Sequence, residues 1–157
     1  MGRTKMAKIY ISGKIDGVED YKERFLDAEK FLLSDFTEWK DGIAQIVNPA
    51  TKGIQLQAMY MTRHKRLPTY EEYLADDIKE LANGCTAIFM LDNWKDSKGA
   101  KIELDLAKKL GLKIYYENKV KEQLKAEKDE SCNEESFDVI KYLENFDEKE
   151  INPELIY

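Results

Sequence analysis

Glu103 stands where a helix should be apolar. Reading helical spacing from Gly99, residues Ala100, Leu104, Ala107 and Leu110 share one arc while Lys101, Asp105, Lys108 and Lys109 point the other way, and Glu103 falls inside the apolar arc. A carboxylate turned toward a core costs roughly several kcal/mol unless it is paired or lines a polar cavity. Such a place suits a nucleophile or a charge stabiliser, although a Glu on the helix edge that reaches solvent gives the same pattern. Asp77 repeats the anomaly. Thr69 and Glu72 form a capping-box signature directly after Pro68, so a helix starts there, with Tyr70, Tyr73, Leu74, Ile78 and Leu81 as its apolar face. Asp77 lies within that face and Asp76 turns to its side. Two carboxylates on core-facing stripes, each expected at the same end of a sheet, point to a shared polar pocket.

The elements that must position these groups alternate. Lys8 to Ser12 reads as a buried strand, followed by a turn from Gly13 to Gly17 and a helix carrying Tyr21, Phe25, Ala28, Phe31 and Leu32 at helical spacing. Gln45 to Asn48 is a second strand stopped by Pro49, and Thr86 to Leu91 and Leu112 to Tyr116 are a third and a fourth. This order predicts an α/β fold, Rossmann-like or flavodoxin-like, with a mostly parallel sheet and helices on both faces. Ligands of such sheets sit at the carboxyl ends of the strands, so the loops after Ile11, Asn48 and Leu91 are the candidates. Pro49 to Pro68 shows no clear period and reads as a long loop. Its cluster Met59-Tyr60-Met61 and basic run Arg63-His64-Lys65-Arg66 suit either a base and a phosphate or a solvated surface.

Composition narrows the function. The 157-residue chain is 43% hydrophobic and 36% charged, a balance that suits one soluble domain. No apolar run approaches a membrane span, and Met1 to Lys5 leads straight into a strand rather than a signal-peptide core, so a cytoplasmic protein without membrane contact is expected. Cys85 and Cys132 lack metal-ligand spacing and His64 is the single histidine, which speaks against zinc and against a histidine base. Of the net charge of −6, the whole imbalance comes from residues 118–157, with 12 acidic against 6 basic side chains. A neutral body does not favour polymeric nucleic acid, whereas a small nucleotide is compatible with it. The domain division expected is 1–117 for the α/β body and 118–157 for an acidic linker followed by a docking helix through Phe137, Ile140, Tyr142, Leu143 and Phe146.

Three segments together resemble the nucleoside 2-deoxyribosyltransferase superfamily, including its small deoxynucleoside 5'-monophosphate N-glycosidase relatives. They are Lys8-Ile9-Tyr10-Ile11-Ser12-Gly13-Lys14-Ile15, Asp77-Ile78-Lys79-Glu80-Leu81, and Asp96-Ser97-Lys98-Gly99-Ala100 through Glu103 to Ala107. The resemblance implies that Glu103 is the nucleophile that attacks the anomeric carbon of a 2-deoxyribose, that Asp77 orients or protonates the leaving base, and that Tyr10 holds the Glu103 carboxylate. Read from the residues alone, Tyr10 is a core aromatic. The early helical position of Glu103 suggests that the positive dipole end favours its ionised form.

Ser12, Gly13 and Ser97 sit in loops facing the same pocket, and Ser97-Lys98-Gly99 at a helix start offers N–H donors suited to a 5'-phosphate, though serine is also a common helix cap. Lys14 stands where relatives commonly carry proline, beside Ile15, and adds a cation toward a phosphate or toward solvent. Asp92 and Trp94 precede Ser97, and the indole suits stacking on a base or packing in its loop. The resemblance implies no metal and no organic cofactor, a small deoxynucleoside or deoxynucleotide ligand, and a homodimer or larger assembly. The expected activity is cleavage or transfer of an N-glycosidic bond through a deoxyribosyl ester on Glu103. A non-catalytic module that binds or senses a nucleotide or an ADP-ribose-like ligand is the competing reading.

Overall fold

The computed structural model describes residues 7–34 and 43–144, and side chains for 7–34 and 45–130. In chain order the elements are β1 (Ala7–Ser12), α1 (Tyr21–Ser34), β2 (Ile43–Val47), α2 (Pro49–His64), α3 (Tyr70–Ala82), β3 (Ala87–Met90), α4 (Lys98–Lys109), β4 (Lys113–Tyr116) and α5 (Glu117–Glu144), with one 3₁₀ turn at Trp94–Asp96. The four strands form a parallel sheet in the order β2-β1-β3-β4. This is the expected α/β fold. Chain connections leave β1 and β3 toward opposite edges, so a topological switch point opens between their carboxyl ends.

Strand alternation builds two cores. Tyr10, Val47, Ile88 and Met90 face one way and pack with Leu81 of α3 and with Ala100, Leu104 and Ala107 of α4. Ile9, Ile11 and Phe89 point to the other face, where α1 buries Phe25, Ala28 and Leu32 and sets the Phe31 ring 6.0 Å from that of Phe89. Helices therefore cover both faces, and Tyr10 and Ser12 lie on the face that α4 covers.

Three expectations are corrected. The segment after Pro49 is a helix, α2, rather than a loop. Asn48 caps it by accepting from the Ala50 and Thr51 N–H groups, Pro49 occupies its first turn, and Lys65 closes it in a left-handed conformation. Its period is weak because only Pro49 and Ala50 are buried. Leu110 does not join the apolar arc of α4. It is the cap residue at the helix end and is 47% exposed. The lysine- and glutamate-rich stretch after Asn118 is helix rather than linker, since α5 runs unbroken through it. Lys, Glu, Gln and Ala are strong helix formers, and Gln123 donates to Glu127 one turn on at 3.3 Å. Compact packing divides the chain into 1–118 and 119–157. The side chains of Cys132, Phe137, Ile140, Tyr142 and Leu143, and all of Phe146, lie outside the described residues. Among the described residues no helix is long and apolar enough to cross a membrane.

Candidate functional site

A cavity of about 840 Å³ opens at the switch point. Its walls are the loop after β1, the first turns of α2, one face of α3 and the start of α4. Ser97 starts α4 by accepting from the Ala100 N–H at 3.1 Å, and burial of Ala100, Leu104 and Ala107 against the sheet fixes the helix rotation. That rotation turns Glu103 inward. The residue is 6% exposed and lies in the cavity wall.

Tyr10 and Ser12 lie beneath it on β1, at 0% and 1% exposure. Tyr10 Oη, Ser12 Oγ and Glu103 Oε2 are all buried without a completed hydrogen bond. Buried polar atoms are nearly always satisfied; these three lie together, and Glu103 is the one that reaches the cavity. Burial, reinforced by the charge of Asp77, pushes the Glu103 carboxyl up to about 8, and the nearby Ser12 and Tyr10 hydroxyls offset only part of that rise. The Tyr10 phenol is itself held well above its ordinary value by burial and by the Glu103 charge. This corrects the expectation that the helix dipole keeps Glu103 ionised. The dipole acts within the first turn, whereas Glu103 follows the cap by six positions and desolvation dominates.

Asp77 lines the same cavity from α3. Burial first, then the charge of Asp76, raise its carboxyl to about 7. The Lys52 ammonium pulls the other way but is ion-paired with Glu80. Both carboxyls are thus held well above the ordinary range, and the Asp77 charge favours the protonated form of Glu103. Around neutral pH the pair retains at least about one proton.

The cavity gathers most of the residues expected in it and omits others. Gly13, Lys14, Ile15, Asp77, Ser97, Gly99 and Glu103 line it, with Tyr10 and Ser12 buried in the strand below. Gly13 is required by close packing, since a Cβ there would stand 2.8 Å from Leu91 Cδ1. Asp92 and Trp94 are not in the wall. The Trp94 indole packs 5.8 Å from the Tyr116 ring as part of the core, and the Asp92 N–H donates to the Glu117 carboxylate at 3.3 Å. The basic run is also elsewhere, because Arg66 holds Glu72 through two hydrogen bonds and stacks over Tyr60 at the far end of α2.

Sequence reasoning missed Tyr70, Tyr73 and Leu74, which form cavity wall rather than core, and Gly53 and Gln57 of α2. It also missed Asn93, whose side-chain oxygen accepts from the Lys14 N–H at 3.0 Å and holds the loop after β1 in place. The Asn48-Pro49 pair was the available signal for α2. Among the described residues no group of three or more His, Cys, Asp or Glu side chains is placed to hold a metal ion.

The model of one protein family, described as a domain of unknown function (DUF4406), matches residues 7–116. That span contains the whole sheet and every wall of the cavity. No curated protein and no solved structure matches the chain.

Proposed function

The chain belongs to the DUF4406 family; we propose, from the site's chemistry and the resemblance of its segments, that its pocket cleaves or transfers the N-glycosidic bond of a 2'-deoxynucleoside or its 5'-monophosphate. The observation that carries the reading is the buried Glu103 carboxyl, unpartnered at Oε2 beside the Tyr10 and Ser12 hydroxyls and facing a cavity of about 840 Å³ that Asp77 shares.

Glycosidic cleavage builds positive charge on the anomeric carbon. Ionised Glu103 attacks that carbon as the carbon–nitrogen bond breaks, the bond electrons pass to the base nitrogen, and Asp77 delivers a proton to the departing base. In the empty pocket the pair retains a shared proton. A cationic centre forming against Glu103 favours its anion and moves the shared proton to Asp77, where the acid is needed. Tyr10 and Ser12 donate to the carboxylate and hold its direction. Water then hydrolyses the deoxyribosyl ester, or a second base takes the sugar. The chemistry uses these side chains and requires no metal or organic cofactor. On this reading the protein works in the cytoplasm on a small molecule, as a homodimer or larger assembly.

The test is chromatographic detection of free base after incubation with a panel of deoxynucleosides and their monophosphates, with and without a second base. Base released without acceptor identifies a hydrolase, and a new nucleoside formed only with acceptor identifies a transferase. Tight nucleotide or ADP-ribose binding with no release from any substrate would replace the enzymatic reading with a sensing module.

A further inference from the structure

The carboxyl pair lies in a cavity whose other walls are also acidic. Asp16 and Glu19 come from the loop after β1 and Asp96 from the turn before α4, and these join Asp77 and Glu103 in the lining. Among the described residues of the wall, Lys14 and Lys98 are the cations. Even with one proton shared between Asp77 and Glu103, negative charge exceeds positive. In a cleft with apolar walls such an excess acts on an entering ligand before contact and repels anions.

At the start of α4, where backbone N–H groups would meet a phosphate, the Ala100 and Lys101 N–H groups are already bonded to Ser97. The Ser97 hydroxyl is engaged as the cap, accepting from Ala100 at 3.1 Å. The Tyr70 hydroxyl lies beside Gly99, where a Cβ on that glycine would stand 3.4 Å from it. After burial, the charge of Asp16, which shares the cavity wall, is the largest influence raising the Tyr70 phenol. Deeper, the Glu103 carboxyl that lines the pocket lacks a partner at Oε2, with the Tyr10 and Ser12 hydroxyls buried beneath it. Its natural complement is a sugar hydroxyl, which donates a hydrogen bond without bringing charge.

We infer that the pocket selects an uncharged nucleoside over its 5'-monophosphate, with Asp16, Glu19 and Asp96 as the specificity determinants that turn the phosphate away. This deepens the N-glycoside reading and rests on it for the identity of the ligand. The experiment is calorimetry, run beside base release, on the four common 2'-deoxynucleosides and their 5'-monophosphates, at low and at physiological ionic strength. The wild-type chain and the triple variant Asp16→Asn, Glu19→Gln, Asp96→Asn are compared.

The wild type is expected to bind the nucleoside about tenfold more tightly at low salt, with a narrower gap as salt rises. In the triple variant the gap closes to within about threefold. Equal or tighter binding of the monophosphate by the wild type, or a gap that the triple variant leaves intact, overturns the inference. Selective nucleoside binding without base release supports the selectivity and overturns the catalytic reading alone. Failure to bind either ligand overturns both.

Discussion

Glu72 and Asp77 lie five residues apart on α3 and titrate in opposite directions. Glu72 has every partner it needs: two hydrogen bonds from Arg66, the Thr69 N–H, and the Tyr60 hydroxyl hold its carboxyl well below the usual range. Asp77 is half-buried in the cavity wall near other carboxylates, and Glu103, which shares that wall, is more deeply buried and lacks a partner at Oε2. The first cluster is closed and stabilises a helix end. The second is left incomplete by the fold, which is the condition for a site that acts on something else.

The largest break in this contrast is Glu103→Gln. Turnover is expected to fall at least about a thousandfold in steady-state base release, while the circular dichroism spectrum stays native. The same variant reports the strain on stability. Because the Glu103 carboxyl rises from about 4.5 unfolded to about 8 folded, the native state binds more protons than the unfolded state between those values, and stability falls as pH rises through that window. Urea titrations should therefore show the wild type losing ground to Glu103→Gln from pH 5 to pH 8, by on the order of a few kcal/mol at the upper end. A constant difference would mean that the carboxyl is not desolvated.

Asp77→Asn keeps the shape and removes the acid, so kcat should drop by about a hundredfold for substrates whose base leaves poorly. The loss should shrink for a nucleoside whose base carries an electron-withdrawing group and departs without protonation. In the wild type, kcat/KM should be bell-shaped with limbs near 7 and 8, and Asp77→Asn should remove one limb.

Thr69→Ala, in the closed cluster, should lower unfolding stability by about 1 kcal/mol in denaturant titrations and leave kcat/KM within about twofold of wild type. A large loss of activity there would mean that the two regions are coupled.

Periodicity made much of this legible. Glu103 stood out because Ala100, Leu104 and Ala107 define its helix face, and all three are buried as that face requires. The strand assignments followed from short apolar runs bounded by turn residues, and the capping box at Thr69 and Glu72 is present in both of its bonds. What escaped were elements with little buried surface. Helix α2 has a good cap but almost no apolar stripe, and Tyr70 and Tyr73 look like core residues until a cavity is known to face them. Trp94 misled because an aromatic in a loop suits stacking on a base and packing on a neighbour equally well. The titration of Glu103 escaped as well, since helix position is visible in a sequence and depth of burial is not.

The central claim is that a sugar is held on Glu103. Mass spectrometry of enzyme quenched in acid during turnover tests it most directly, with the Glu103-containing peptide compared before and after substrate. The account predicts that this peptide gains the mass of one deoxyribosyl group and that Glu103→Gln gains nothing. A deoxyribosyl adduct on another residue, or base release by Glu103→Gln at the wild-type rate, would contradict it.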